Sequence, residues 1–250
     1  MRIALLSDIH GNLAALESVA ADIRRRGADR IVCLGDLLSG PLLPLETAQY
    51  LMAEGWFTLA GNHERQVLDD SQPRAPSDAY TYAQLGEREF SWLRTLSHRA
   101  RLTDEVFLCH GIPGSDNENF LETVENHAAR LASLDEIDLR MGDERSALVA
   151  CGHTHVARAV RSRRGQLVVN PGSVGQPAYT DTHPMPHAIQ TGSPDARYAI
   201  IEKTADGWVA RLMSVPYDYR PMAALARARH RPEWEQALLT GYVTPAPATG

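Results

Sequence analysis

Through the first sixty residues, short apolar runs alternate with stretches of helical spacing. Residues 2–7 read as a short buried strand that ends at Ser7-Asp8. Asn12 can cap a helix whose Leu13, Leu16, Val19, Ala20 and Ile23 share one face, with Gly27 just past its end. A second strand over 30–34 stops at Gly35-Asp36. Pro44 opens a helix that Gly55 closes, and a third strand over 56–60 stops at Gly61-Asn62-His63-Glu64. The order strand, helix, strand, helix, strand predicts parallel pairing through right-handed crossovers.

The pattern over 64–103 predicts helix, with Ser77 as a cap and Phe90, Trp92, Leu93 and Leu96 supplying apolar faces. Strands return over 105–109, ending at His110-Gly111, and over 146–151, ending at Gly152-His153-Thr154-His155. Hairpin grammar follows. Residues 156–161 and 166–169 flank Arg163-Arg164-Gly165, and 198–203 and 208–215 flank a turn with Asp206-Gly207. Helices are expected over 221–230 and 232–239, and a frayed tail over 244–250. The stretch 178–193, with Pro184, Pro186 and Gly192, is the expected long mobile loop. No internal repeat or linker interrupts the chain, so 1–243 is expected to be a single domain.

At 250 residues the chain can bury a large core without disulfides or a structural metal. A net charge of −6 is too acidic for a protein that chiefly holds a nucleic-acid backbone. Lys203 is the one lysine, so 24 of the 25 basic residues are arginine. That bias weakens any role read from the cluster Arg158, Arg161, Arg163 and Arg164, which is expected to be a solvated hairpin. Three cysteines cannot all pair, and the expectation is reduced thiols in a cytoplasmic protein. Cys33, Cys109 and Cys151 lie inside apolar strands and read as core. No run of about 20 apolar residues predicts a membrane span.

Five strand ends carry a metal-competent side chain: Asp8 with His10, Asp36, Asn62 with His63, His110, and His153 with His155. Strand carboxyl ends converge on one crevice in open α/β sheets, so ligands remote in sequence can meet there. Each piece alone has an ordinary explanation as a helix cap or turn residue. The five together point to a site. Mixed oxygen and nitrogen donors suit Mn, Fe, Zn or Ni better than Ca or Mg. Asp8, His10, Asp36, Asn62, His110, His153 and His155 are too many for one ion and fit two sharing a carboxylate, with His63 left over.

These motifs resemble those of the calcineurin-like metallophosphoesterases: Asp8-x-His10, Gly35-Asp36, Gly61-Asn62-His63-Glu64, His110-Gly111 and Gly152-His153-x-His155. Asn170-Pro-Gly-Ser-Val-Gly-Gln-Pro177 and Pro216-Tyr-Asp are similar to segments of the small bacterial branch. The resemblance implies an α/β protein with mixed sheets in a four-layer α/β/β/α sandwich. It implies one divalent transition-metal ion, preferably Mn, on Asp8, His10, Asp36 and His155. A second would sit on Asp36, Asn62, His110 and His153. A hydroxide between them would attack a phosphodiester or phosphomonoester, with His63 as leaving-group acid beside the catalytic Asn62. The expected partner is a phosphate-ester substrate, with neither membrane nor stable nucleic-acid binding.

Two departures qualify this picture. Members acting on phosphoproteins or dinucleoside polyphosphates carry Gly-Asp-x-x-Asp-Arg-Gly, whereas Ser39 and Gly40 stand here at the last Asp and the Arg. The carboxylate that orients the histidine and the phosphate-gripping arginine are therefore expected to be missing, unless Asp195 and Arg197 restore them. The stretch 178–193 is also longer than in relatives and carries His183 and His187. It reads either as a lid or as a tolerated insertion. The alternatives are a protein or dinucleoside-polyphosphate phosphatase of the same fold, or a non-catalytic metal-binding scaffold similar to the retromer subunit. Neither a phosphate-binding Gly-Lys loop nor a nucleophile elbow is present.

Overall fold

A computed structural model describes residues 1–244; the expected frayed tail lies outside them from 245 onward. The chain order is β1 (Arg2–Leu6), α1 (Leu13–Arg26), β2 (Arg30–Cys33), α2 (Pro44–Glu54), β3 (Phe57–Thr58), α3 (Asn62–Leu68), α4 (Pro76–Gln84) and α5 (Glu87–Leu93). It continues through β4 (Arg99–Thr103), β5 (Val106–Cys109), β6 (Glu122–Glu125), β7 (Ala128–Leu131), α6 (Leu134–Met141) and β8 (Leu148–Ala150). The remainder is β9 (Arg158–Arg161), β10 (Leu167–Asn170), β11 (Ala178–Asp181), β12 (His187–Gln190), β13 (Ala196–Thr204), β14 (Gly207–Val215), α7 (Arg220–Ala228) and α8 (Pro232–Thr240).

Two mixed five-stranded sheets form the centre, ordered β14-β13-β1-β2-β3 and β4-β5-β8-β10-β9. Strands β1, β2 and β3 run parallel, as do β5, β8 and β10, while β13, β14, β4 and β9 pair antiparallel. Successive strand side chains face opposite ways, and here both faces are covered. Ile3, Leu5, Val32, Leu108, Ala150, Val169 and Ile201 meet in the core between the sheets. Their neighbours Ala4, Leu6, Cys33, Tyr198 and Ile200 turn to a second core that includes Leu16, Val19 and Ile23 of α1. Phe107, Cys109, Val149, Cys151 and Val168 turn to a third, with Ile137 and Met141 of α6. This is the expected four-layer arrangement. All three cysteines are buried and unpaired, and burial pushes their thiols up.

Local chemistry sets several boundaries. Asn12 accepts from the Ala15 N–H at 3.2 Å and caps α1, and left-handed Gly55 ends α2. Ser77 does not cap α4, because Pro76 already occupies the first turn and Ala75 precedes it. Three other expectations change. Residues 99–103 form edge strand β4 rather than helix. Residues 122–131 form an unforeseen hairpin, β6–β7. The stretch 178–193 is not an irregular loop, because β11 pairs with β12 from Ala178–Gln190 to Asp181–His187. Its tip docks on the β6–β7 turn, where the His127 N–H donates to Met185 Sδ and His127 Nδ1 lies 2.8 Å from Pro186 O.

Candidate metal centre

The parallel strands of both sheets deliver their carboxyl ends to one place. Asp8 follows β1, Asp36 follows β2, Asn62 begins α3 beyond β3, His110 follows β5, and His153 and His155 follow β8. Each of these chains must turn at once to bring its side chain into the crevice. Asp8, His10, Asp36, His153 and His155 accordingly have φ of 57°, 51°, 54°, 71° and 59°. Few non-glycine residues adopt that left-handed pose, which persists only where the surroundings over-determine it. Close approach makes the glycines between them obligatory. A Cβ on Gly61 would collide with Asp36 Oδ1, and one on Gly152 with Ser7 Oγ.

Three imidazoles are locked by the same device. Nδ1 lies 2.7 Å from Ser39 O in His10, 2.8 Å from Leu34 O in His110, and 2.8 Å from Gln176 O in His155. A carbonyl only accepts, so each Nδ1 carries a hydrogen and each Nε2 points into the site. The Nε2 atoms of His10 and His155 face each other at 3.1 Å. Among the described residues, His110 Nε2 lies 3.1 Å from Asp36 Oδ2 yet makes no well-formed hydrogen bond, and buried Asp8 Oδ2 has no partner. Orphaned buried donors of this kind fit divalent cations. Asp8, His10 and His155 form one set whose ligand atoms lie within 4.8 Å of one another, and Asp36, His110 and His153 form another. Asn62 joins the second set, its Oδ1 3.0 Å from His153 Nδ1.

Burial and charge act together on these groups. Burial, then the neighbouring His155, pushes His10 down to about 3, and burial with His110 pushes His153 down to about 4. Burial opposes charge on His110 as well, but Asp36 and Asp8 outweigh it and raise that group to about 10. The two carboxylates thus draw positive charge to His110, while burial leaves His10 and His153 as neutral lone-pair donors. His63 stands apart from both sets. Its N–H donates to Asp36 Oδ1 at 3.0 Å, and its Nδ1 lies 2.8 Å from Asp78 Oδ1. Burial is again outweighed there, by Asp36 and the Asp78 hydrogen bond, and His63 rises to about 9.

Several supporting residues have only weak signals in the sequence. Buried Glu64 accepts from the Asp36, Leu37 and Gly61 N–H groups, each at 2.8 Å, and so ties the loop after β2 to the loop after β3. Glu122 accepts from Thr154 Oγ1 and from Arg158 Nε, both at 2.5 Å, and Asn170 Nδ2 donates to Gly152 O and Thr154 Oγ1. Together they grip Thr154 between the two cleft histidines. Every member of the arginine cluster has a partner within the protein: Arg158 pairs with Glu122, Arg161 donates to Gly165 O and Trp208 O, Arg163 meets Asp135, and Arg164 donates to Gly142 O.

A cleft of about 680 Å³ opens over the two sets, walled by β6, β11, α4 and α8. Tyr179 enters it from β11, its ring tilted against that of His155 with centroids 4.6 Å apart, and Trp234 enters from α8, 6.1 Å from the His10 ring. Neither Asp195 nor Arg197 lines it, so they do not restore the charges missing at 39 and 40.

The calcineurin-like phosphoesterase superfamily domain matches residues 1–191. An uncharacterised protein of Methanocaldococcus jannaschii is 26% identical over 258 residues, covering 93% of this chain and 94% of that one. A metallophosphoesterase from Sphaerobacter thermophilus shares the fold with a TM-score of 0.74 at 24% identity, over 97% of this chain and 100% of its own. A hypothetical protein from Pyrococcus horikoshii does so with a TM-score of 0.71 at 18% identity, over 97% and 99%.

Proposed function

The chain belongs to the calcineurin-like phosphoesterase superfamily, and on that premise we propose that it is a two-metal phosphoesterase hydrolysing phosphodiesters and phosphomonoesters. The observation that carries this reading is the set of imidazoles fixed through Nδ1 with their Nε2 atoms turned into the site beside two buried carboxylates. Asp8, His10 and His155 would hold one divalent ion, Asn62, His110 and His153 the other, and Asp36 would serve both. Bound there, the ions supply charge neutralisation for phosphoryl oxygens and acidify a water to a nucleophile near neutral pH.

The chain's own residues do the rest. Glu64 and the Thr154 clamp hold the donor atoms in place before substrate arrives, which preorganises the site. Tyr179 and Trp234 give the ester's organic part an apolar wall. His63 lines the cleft with Nδ1 engaged by Asp78, leaving Nε2 to protonate the departing oxygen. Mn is the favoured ion and the cytoplasm the expected compartment. Among the described residues no helix is long and apolar enough to cross a membrane.

The reading is tested with p-nitrophenyl phosphate and bis-p-nitrophenyl phosphate, before and after chelation. Turnover of at least one should require added Mn²⁺, and His110→Ala should abolish it. No metal-dependent turnover of either substrate would leave a metal-binding scaffold instead.

A further inference from the structure

We propose that Asp78, anchored by Ser39, is the positioning residue that aims His63 at the leaving oxygen; this rests on the leaving-group role given to His63 above. The carboxylate expected at position 39 is absent, but a carboxylate reaches the same imidazole from another element. Asp78 lies in the first turn of α4 and is buried, with 1% of its surface exposed. Its Oδ1 receives Ser39 Oγ–H at 2.6 Å and lies 2.8 Å from His63 Nδ1. Ser39 sits in the loop that also carries Asp36, and its carbonyl fixes His10. Its hydroxyl therefore ties α4 to the loop beneath the metal centre. Two more bonds make that docking rigid: Thr81 Oγ1 donates to Leu38 O at 3.1 Å, and the Gly40 N–H donates to Thr81 Oγ1 at 3.4 Å.

The consequence is a fixed tautomer. A carboxylate beside Nδ1 only accepts, so Nδ1 keeps its hydrogen and the transferable proton is the one on Nε2. In the reaction, water supplies the oxygen that bonds to phosphorus. The bond from phosphorus to the ester oxygen breaks with its electron pair staying on that oxygen, and Nε2 gives the oxygen its proton, releasing an alcohol. His63 is left neutral with hydrogen on Nδ1, still held by Asp78. The proton shed by the attacking water restores Nε2 through solvent. A purely structural role for Asp78, as an acidic first-turn residue complementing the α4 dipole, would need neither His63 nor Ser39 within reach.

The test uses the Mn²⁺-loaded full chain and a series of aryl and alkyl phosphate esters of rising leaving-group pKa. Asp78→Asn keeps the side chain's volume and is the variant expected to fold normally, checked by thermal unfolding. It should lose about 10–100-fold in kcat on alkyl esters, with KM little changed and a much smaller loss on p-nitrophenyl esters, whose leaving group needs no proton. Ser39→Asp introduced into Asp78→Ala should recover at least part of the alkyl-ester activity, since it returns a carboxylate to within reach of Nδ1. Equal loss on every ester in a normally folded Asp78→Asn protein overturns the proposal. His63→Ala separates the two claims. If it shows the leaving-group dependence and Asp78→Asn does not, the positioning role alone falls; if His63→Ala shows none, the acid role falls and the positioning role with it.

Discussion

Glu64 is neither ligand nor acid, yet it satisfies three backbone N–H groups from the two loops that carry Asp36 and Asn62. An amide of the same size offers one accepting oxygen, and its NH2 would face a donor. Glu64→Gln should therefore cost about 1–3 kcal/mol, read from urea denaturation. It should also weaken Mn²⁺ binding about 10–100-fold in a direct titration, because the loops carrying the proposed ligands Asp36 and Asn62 lose their brace. Unchanged Mn²⁺ affinity would show that the loops hold their shape without it. The seven ligand candidates were legible because each follows an apolar strand, where a polar residue has few roles besides a turn. Glu64 was visible only as the end of Gly61-Asn62-His63-Glu64. Asp78 gave no signal at all, since its meaning depends on where α4 docks, 39 residues from Ser39.

Among elements, the strands buried on both faces were the readable ones, because their apolar runs have no other good explanation. Edge strand β4, Arg99-Ala-Arg-Leu-Thr103, is largely polar and partly exposed, so its composition carries little β signal. The β6–β7 hairpin escaped for a different reason. Its turn residues Asn126 and His127 both have positive φ, at 50° and 62°, but without the glycine that usually marks such a turn. That hairpin matters because it supports β11–β12 above the cleft, where Thr180, Asp181 and His183 are lining residues. Replacing 182–186 with a two-residue Asn-Gly turn removes the docked tip while keeping the β11–β12 pairing. KM for bulky diesters should then rise several-fold while kcat for p-nitrophenyl phosphate changes little, measured by steady-state kinetics. Equal KM across small and bulky esters would mark the hairpin as a tolerated insertion.

For the whole molecule, the centre joins the two sheets: one contributes Asp8, Asp36 and Asn62, the other His110, His153 and His155. A cation bound by both sheets binds the folded chain and not the unfolded one, so occupancy stabilises by mass action. At an Mn²⁺ concentration 100 times Kd the gain is about 2.7 kcal/mol for one site. Scanning calorimetry with Mn²⁺ and with chelator should show the higher Tm with metal, and the rise should shrink in His110→Ala. A Tm indifferent to chelation would mean that metal binding and folding are not linked. The left-handed backbone at Asp8, His10, Asp36, His153 and His155 gives this linkage a direction. Glycine or asparagine would adopt those five φ values with less strain, so the backbone is held there for the sake of the side chains it presents.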